Sequence, residues 1–324
     1  MNPVRHRNLF LGTSLAALAL MACSSSNNDR MDVPTAQDAG TDTGAPPTDM
    51  GTPPTDNGTP PADNGTPPTD NGTPPTDTVA PADVPTVMCP TNAPEQMHMG
   101  DIRADETWDC TRTHVLMGDG VFVLGGTLRI TPGTLVKGGS DRAVLLVATG
   151  GRLDAQGTAA QPIVFTSNRA VGMRRAGQWG GVILLGNARI NSTNTLADGG
   201  MSGPAGQNII EGIPPTDNRA RYGGTDDNHN CGTLRYARIE FPGYELSTNN
   251  EINGLTIGGC GRQTTIDHVE VLASADDGIE IFGGAVDVKH AVIFNAEDDG
   301  LDWDFGWTGR GQFIAIHSPT TSTE

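Results

Sequence analysis

The chain has 324 residues, of which 43 are glycine and only 5% are aromatic, and its formal net charge at pH 7 is −18. This acidic balance argues against nucleic acid as a partner, because the phosphate backbone is bound by basic surfaces. Abundant glycine and scarce aromatic residues favour a narrow, turn-rich fold over a compact α/β enzyme.

Residues 1–22 have the pattern of a targeting segment. A short basic region precedes an apolar run from Leu9 to Ala22, which is too short to span a bilayer comfortably. The run ends in Leu-Met-Ala-Cys23, which resembles the lipobox of bacterial lipoproteins. The resemblance implies cleavage before Cys23, acylation of its thiol and firm attachment to a membrane. Ser24 indicates, by analogy with known sorting rules, the bacterial outer membrane or cell surface; an ordinary secretory signal is the alternative.

Residues 23–88 are predicted to be a disordered linker behind the acylated cysteine. A seven-residue unit that begins at Gly44 is followed by four near-copies, each with a Pro-Pro pair and an Asp. Proline pairs favour extended polyproline II structure, and the segment has too little apolar surface to fold. It is therefore interpreted as a semi-rigid tether.

Four cysteines follow the linker: Cys89, Cys110, Cys231 and Cys260. They permit three pairings, and no C-x-x-C motif suggests zinc or redox chemistry. The pairs that are near in sequence, Cys89–Cys110 and Cys231–Cys260, are preferred because coil-like spacings bring them close. Disulfides agree with an exported protein.

Residues 89–324 show short apolar runs that end at Gly, Pro or Asn, with no convincing helical face. The pattern lapses in a long loop at 192–232, where only Ile209, Ile210 and Ile213 offer a buried strand. Such an excursion from a regular repeat is often functional, although a decorative loop pinned by a disulfide is the simpler interpretation.

A repeat organises the end of the chain. The sequence Asp276-Asp277-Gly-Ile-Glu280 recurs as Asp298-Asp299-Gly-Leu-Asp302, with an offset of 22 residues. A period in the low twenties built from short strands and glycine turns predicts a β-solenoid, because the leucine-rich pattern of the same period is absent. Each period is then one coil, and equivalent residues stack about 4.8 Å apart.

The segments TLRITPGTLVKG, GGRLDAQGTAAQPIVFTS, QWGGVILLGNARIN, ADDGIEIFGG and EDDGLDWDFGW resemble coils of secreted bacterial proteins with a right-handed, single-stranded parallel β-helix. This is the pectin-lyase-like architecture, and the resemblance covers about residues 115–317. It implies an all-β domain. It says far less about function, since members of this kind are mostly surface proteins without assigned chemistry.

Alternation in the repeat predicts that Ile279, Ile281, Leu301 and Trp303 point inward and that Glu280 and Asp302 point outward. Carboxylates then stack on carboxylates, which must be offset by a cation, by raised pKa values, or by water and outward splay. Calcium binds six to eight oxygen ligands of this kind. The expected Ca²⁺ ligands are Asp276, Asp277, Glu280, Asp298, Asp299 and Asp302.

The alternative is a polysaccharide-degrading enzyme, a glycoside hydrolase or lyase, that acts through the acidic coils at 276–304. Asp276 and Asp277 resemble the Asp pair of the polygalacturonase-like hydrolases, and the catalytic set would add Asp298 and Asp299. The Gly-His-Gly and Arg-x-Lys motifs of that family are absent, and Lys289 is the sole Lys or Arg from Thr264 to Phe305. An enzyme is therefore the less favoured hypothesis.

The favoured hypothesis is a non-enzymatic, membrane-anchored surface module, stiffened by Ca²⁺, that binds carbohydrate or another surface protein. The last predicted coil, Gln312–His317, is expected to keep the 22-residue register with Val286–Phe294, and it is followed by a polar tail without an amphipathic segment. The domain is therefore expected to lack a C-terminal cap. Because an open coil exposes an unpaired strand edge, either the reading frame is truncated or Phe313–Ile316 pairs with another chain.

Overall fold

The computed structural model describes residues 88–192, 206–247 and 250–318. The predicted signal peptide, the acylated Cys23 and nearly all of the predicted linker lie outside these residues. So do the middle of the 192–232 loop and the C-terminal tail from residue 319. The expectations about acylation, linker disorder and capping therefore remain predictions.

Twenty strands and one short 3-10 helix form the regular structure of the described residues. In chain order they are β1 Glu95–Ile102, β2 Glu106–Trp108, β3 Thr113–Val123, β4 Gly126–Ile130, β5 Leu135–Gly138, β6 Val144–Val147, β7 Gly151–Gln156, β8 Ile163–Ser167, β9 Gly181–Leu185, β10 Asn208–Ile209, the 3-10 helix Asn218–Ala220, β11 Arg221–Tyr222, β12 Gly232–Glu240, β13 Tyr244–Ser247, β14 Asn250–Ile252, β15 Leu255–Gly258, β16 Thr265–Leu272, β17 Ile279–Phe282, β18 Asp287–Phe294, β19 Leu301–Asp304 and β20 Gly311–His317.

Sixteen of these strands pair side by side into three parallel faces, and each coil contributes to every face. Face 1 contains β1, β3, β5, β8, β12, β16, β18 and β20. Face 2 contains β1, β3, β6, β9, β15, β17 and β19. Face 3 contains β2, β4, β7, β12, β16, β18 and β20, of which the last four bend into face 1. The predicted parallel β-helix is confirmed.

The 22-residue offset holds where the repeat was found. Ile279 pairs with Leu301 on face 2, and Val269 pairs with Ala291 on face 1. The last step is different, because Val292 pairs with Ala315, 23 residues later. Six residues separate Asp304 from Gly311, whereas five separate their partners Phe282 and Val288, so the 22-residue register predicted for the final coil was wrong by one.

The coils enclose a continuous apolar interior. Alternate residues of the strands point into it, as Ile279 and Ile281 of β17 do, and both are fully buried. Aliphatic side chains from all three faces fill this interior together with Trp108 and Trp179. Burial of this apolar surface is the dominant stabilising contribution, at about 25 cal/mol per Å².

A second apolar layer covers the outward side of face 2. Phe122, Ile183 and Phe282 point away from the interior, yet they are buried in one cluster with residues of the 206–222 segment. Ile209, Ile210 and Ile213, the residues predicted to be buried in the long loop, belong to this cluster. The alternation therefore identifies which side of a strand a residue occupies, and the long loop decides whether that side is exposed.

Trp303 corrects one expectation. It pairs with the inward-facing Ile281, as the repeat predicts, but 57% of its surface is exposed. No strand follows β19 on face 2 in the described part of the chain. Among the described residues, Trp303 therefore has a stacked neighbour on one side only.

Two disulfides join the predicted pairs, Cys89–Cys110 and Cys231–Cys260. Cys231 immediately precedes β12 at the end of the long loop, and Cys260 follows β15 on face 2; both are fully buried. The second disulfide therefore fastens the return of the long loop to the stacked coils.

Replacing both Cys231 and Cys260 by Ala should lower the free energy of unfolding by about 2–4 kcal/mol, because the disulfide restricts the unfolded chain. Urea denaturation under oxidising conditions measures this change. An unchanged denaturation midpoint would show that the long loop is fastened by its apolar contacts alone.

Candidate functional site: a carboxyl cluster beside face 2

Two neighbouring coils place six acidic residues at the start of face 2. Asp276 and Asp277 lie in the turn before β17, and Glu280 lies on that strand; one coil on, Asp298 and Asp299 precede β19, and Asp302 lies on it. Glu280 pairs with Asp302 in register. The backbone N–H of Asp299 donates a hydrogen bond of 2.9 Å to Oδ1 of Asp277. The predicted stacking of the two acidic coils is thus present.

The carboxyl oxygens converge in two overlapping triads. Asp276, Asp277 and Asp298 form the first, and Asp277, Glu280 and Asp302 form the second. Within each triad, one oxygen from each residue lies within 4.8 Å of the others. Asp277 belongs to both triads and is the centre of the cluster. The carboxylate of Asp299 belongs to neither, although its backbone holds Asp277 in place.

The cluster has a buried side and an open side. Asp277 is 6% exposed and Glu280 is 9% exposed, and Glu211 of the long loop is hydrogen bonded to Glu280. Asp298 and Asp299 are exposed, and Asp276 and Asp302 are intermediate. An ion or a small ligand could thus approach from the exposed side, beside Asp298, and reach the buried carboxyl oxygens of Asp277 and Glu280.

The long loop and the β14 region bring further polar groups to the buried side. Asn253 is fully buried, and its amide nitrogen donates to Glu211 at 3.0 Å and to Glu280 at 2.5 Å. The amide oxygen of Asn253 has no hydrogen-bond partner among the described residues. Glu211 and Glu251 also lie close enough for their charges to act on Asp276.

Sequence reasoning missed Glu211 and Glu251, since no repeat position indicates where the loop folds back. Asn253 did have a signal. Asn253 and Thr256 occupy the same coil positions as Asp277 and Glu280, because Leu255 pairs with Ile279. The stacked positions of Asp277 and Glu280 are therefore occupied in the preceding coil by Asn253 and Thr256, which are neutral but also have side-chain oxygens.

Burial dominates the electrostatics of the cluster. Desolvation, followed by the charges of Glu211, Glu251 and Asp298, raises the pKa of Asp276 to about 7. Desolvation also raises the pKa of Asp277 to about 8, and the neighbouring acids add to it against the opposing hydrogen bond from Asp299. Both groups would therefore hold protons near neutral pH unless a cation neutralised them.

Glu280 is the most strongly perturbed group. Desolvation and then the charge of Glu211, with which it shares a hydrogen bond, hold the pKa of Glu280 well above its usual range. Two buried carboxyl groups in contact cannot both be ionised without a counter-charge. The buried side of the cluster thus contains either shared protons or a cation.

The residues of the enzymatic alternative are the same carboxyl groups. The structure brings the carboxyl groups of Asp276, Asp277 and Asp298 together. Asp299 contacts the cluster through its backbone N–H, and its carboxylate is in neither triad. Lys289 lies on β18, which belongs to faces 1 and 3, so it is on a different face from the acids.

Comparison with protein-family models matches residues 100–324 to a pectate-lyase-like β-helix domain. The match covers most of the chain, and the protein belongs to this family. No curated protein and no solved structure shows significant similarity to the sequence or fold. Family membership agrees with the three-faced coil and is compatible with either an enzymatic or a binding role.

A search of the described residues for helices that could cross a membrane identified none with sufficient length and apolar character.

Proposed function

We propose that the protein is a lipid-anchored module of the bacterial outer membrane or cell surface, whose β-helix binds Ca²⁺ at the carboxyl cluster and contacts carbohydrate or another surface protein. The convergence of two carboxyl triads on the buried Asp277 carries this proposal. The acyl anchor at Cys23 and the tether of residues 24–88 supply its attachment.

The dimensions of the triads suit calcium. Calcium–oxygen distances are about 2.3–2.6 Å, so two ligands on opposite sides of one ion are roughly 4.6–5.2 Å apart. The oxygens of each triad lie within 4.8 Å of one another, so one ion can contact all three. Backbone carbonyls and water would complete the six to eight ligands that calcium requires.

The amide of Asn253 supports the same conclusion. Its buried oxygen, without a partner among the described residues, costs about 1–3 kcal/mol, and its nitrogen donates to Glu211 and Glu280, two acids that repel one another. A cation next to Glu280 would relieve the repulsion and would let the Asn253 amide turn its oxygen to the ion.

The alternative function, cleavage of a polysaccharide, has one observation in its favour. A carboxyl group held protonated next to other acids is what general acid catalysis requires, and Glu280 satisfies this condition. However, Glu280 and Asp277 are nearly inaccessible beneath the long loop, and a glycosidic bond would have to reach them. Burial therefore favours ion binding over catalysis.

Calorimetric titration with Ca²⁺, followed by assays of reducing-sugar release from acidic polysaccharides, distinguishes the two functions. The proposal expects Ca²⁺ binding and no sugar release. Sugar release that is lost in Asp277→Asn would replace it with the enzymatic alternative.

The proposed anchor makes a separate prediction. The wild-type protein should partition with membranes, and Cys23→Ser should shift it to the aqueous fraction, because the acyl chains supply the membrane affinity. Phase separation of cell extracts in detergent measures the partition. Equal partitioning of the two proteins would rule out the lipid anchor.

A further inference from the structure

A stack of four aromatic rings runs along the corner between faces 3 and 1, on strands that alternate along the chain with the strands of the carboxyl cluster. The rings belong to Tyr236, His268, His290 and Phe313, one from each of four successive coils. Neighbouring ring centroids are 4.4, 4.4 and 4.9 Å apart. The two histidines occupy the middle of this stack, so each imidazole has a ring above and below it.

All four residues have left-handed backbone conformations, with φ angles of 48°, 54°, 50° and 61° in chain order. This conformation is uncommon for residues other than glycine and costs on the order of 1–3 kcal/mol at each position. Here it bends strands β12, β16, β18 and β20 from one face to the next. The bend holds the two imidazoles in register at the corner.

A single carboxylate faces both histidines. Oδ1 of Asp267 lies 2.8 Å from Nδ1 of His290 and 2.8 Å from Nδ1 of His268. Its other oxygen, Oδ2, contacts Nε of Arg235 at 3.2 Å. Burial raises the pKa of Asp267, but the hydrogen bond from His290 and the charges of His268 and Arg235 outweigh it and hold the pKa below its usual range.

Lys289 pairs with Asp267 in register, as the repeat predicts, yet no ion pair forms between them among the described residues. Arg235, His268 and His290 contact the carboxylate of Asp267 instead. Strand register places side chains as neighbours and does not by itself decide which of several cations reaches the acid.

The two imidazoles are not equivalent. Nδ1 of His290 has hydrogen-bonding geometry with Asp267. Nδ1 of His268 is shielded from solvent and lies equally close to the same oxygen, but it does not have the geometry of a full hydrogen bond among the described residues. A buried nitrogen that lies beside a carboxylate oxygen without a hydrogen bond is a position that a bound cation would satisfy.

We propose that His268, His290 and Asp267 form a binding site for a divalent transition-metal ion of the Zn²⁺ type, distinct from the carboxyl cluster. The three ligand atoms lie within 4.8 Å of one another. Zinc binds imidazole nitrogen at about 2.0–2.1 Å and carboxylate oxygen at about 2.0–2.2 Å, so an ion between the three atoms would contact all of them once the two stacked imidazoles turn their Nδ1 atoms toward it.

The chemistry of the ligands separates this site from the carboxyl cluster. Imidazole nitrogen prefers zinc, copper and nickel, whereas all-oxygen clusters suit calcium. All three side chains are partly exposed, so water could reach the fourth coordination position of a tetrahedral ion bound there. Arg235 would orient Asp267 through its second oxygen, as groups behind metal ligands commonly do.

The test is a calorimetric titration of the tag-free protein with Zn²⁺ in the presence of excess Ca²⁺, which occupies the proposed calcium site. One Zn²⁺ per chain is expected, and His290→Ala should weaken its affinity at least about tenfold, because one of three ligands is lost. His317→Ala is the matched control, since His317 also stacks on an aromatic ring, Phe294, at 4.3 Å but lies in none of the described clusters that could hold a metal.

Co²⁺ provides a second readout, because its visible absorption reports the ligands directly. The spectrum should change in His268→Gln and in His290→Ala and should be unchanged in His317→Ala, provided that melting curves show all three variants to be folded. Absence of Zn²⁺ binding, or equal Zn²⁺ affinity in His290→Ala and the wild type, would overturn the proposal. Loss of Zn²⁺ binding in Asp277→Asn would also contradict it, because the ion would then occupy the carboxyl cluster.

Discussion

Millimolar Ca²⁺ should raise the melting temperature of the protein, and Asp277→Asn should remove most of that rise. A ligand that binds only the native state stabilises it by about 2.7 kcal/mol when its concentration is one hundred times its dissociation constant. Asp277 belongs to both triads, so its loss affects either possible ion position. The substitution keeps an oxygen that can accept the N–H of Asp299, so the native turn is preserved.

Melting curves in Ca²⁺ and in chelator measure this effect. Without Ca²⁺, Asp277→Asn should be as stable as the wild type or more stable, because a buried acid among other acids has been removed. Glu297→Gln is the matched control; Glu297 is exposed, precedes Asp298 in the chain and belongs to neither triad. Wild-type curves that coincide in Ca²⁺ and in chelator would exclude calcium and leave protonated carboxyl groups as the explanation for the cluster.

In chelator, the free energy of unfolding should fall by several kcal/mol as the pH rises from about 6.5 to 9. Asp276 and Asp277 have native pKa values of about 7 and 8, whereas unfolded aspartate has a pKa of about 4. The native state therefore binds more protons than the unfolded state. The stability that these groups contribute is fully present below about pH 4 and is lost as the pH rises through their native pKa values.

Three other histidines set the lower limit of this window. Burial lowers the pKa values of His98, His114 and His229, so protonation of the unfolded chain at all three residues reduces stability below about pH 6.5. Urea denaturation at several pH values, with Asp277→Asn beside the wild type, isolates the contribution of the cluster. A free energy of unfolding that stays constant or rises between pH 6.5 and 9 in chelator would contradict this prediction. Saturating Ca²⁺ should abolish the predicted fall in the free energy of unfolding.

The β-helix could be predicted because its determinants are local and repeated. A 22-residue offset, glycine turns and alternating apolar residues specify the coil, and the pairing of Ile279 with Leu301 follows from them. The disulfide pairs could be chosen for the same reason, since cysteines about one coil apart are neighbours in a solenoid. Each of these inferences uses only the stacking of adjacent coils.

The carboxyl cluster could be predicted only in part. Stacking brought Asp276, Asp277 and Glu280 over the next coil, but the burial that perturbs them comes from the long loop. Its return onto face 2 depends on contacts between residues that are distant in sequence, and no periodicity encodes them. Glu211 was missed for this reason, and the exposure of Trp303 was missed because a repeat does not indicate what lies beyond its last coil.

The most direct test of calcium binding is a crystal structure of the protein grown with Ca²⁺, with anomalous differences recorded to locate the ion. The account predicts an anomalous peak about 2.3–2.6 Å from a carboxylate oxygen of Asp277 and from oxygens of at least one triad. A structure in saturating Ca²⁺ with no peak at the cluster, and with Glu280 and Glu211 still hydrogen bonded to each other, would contradict it.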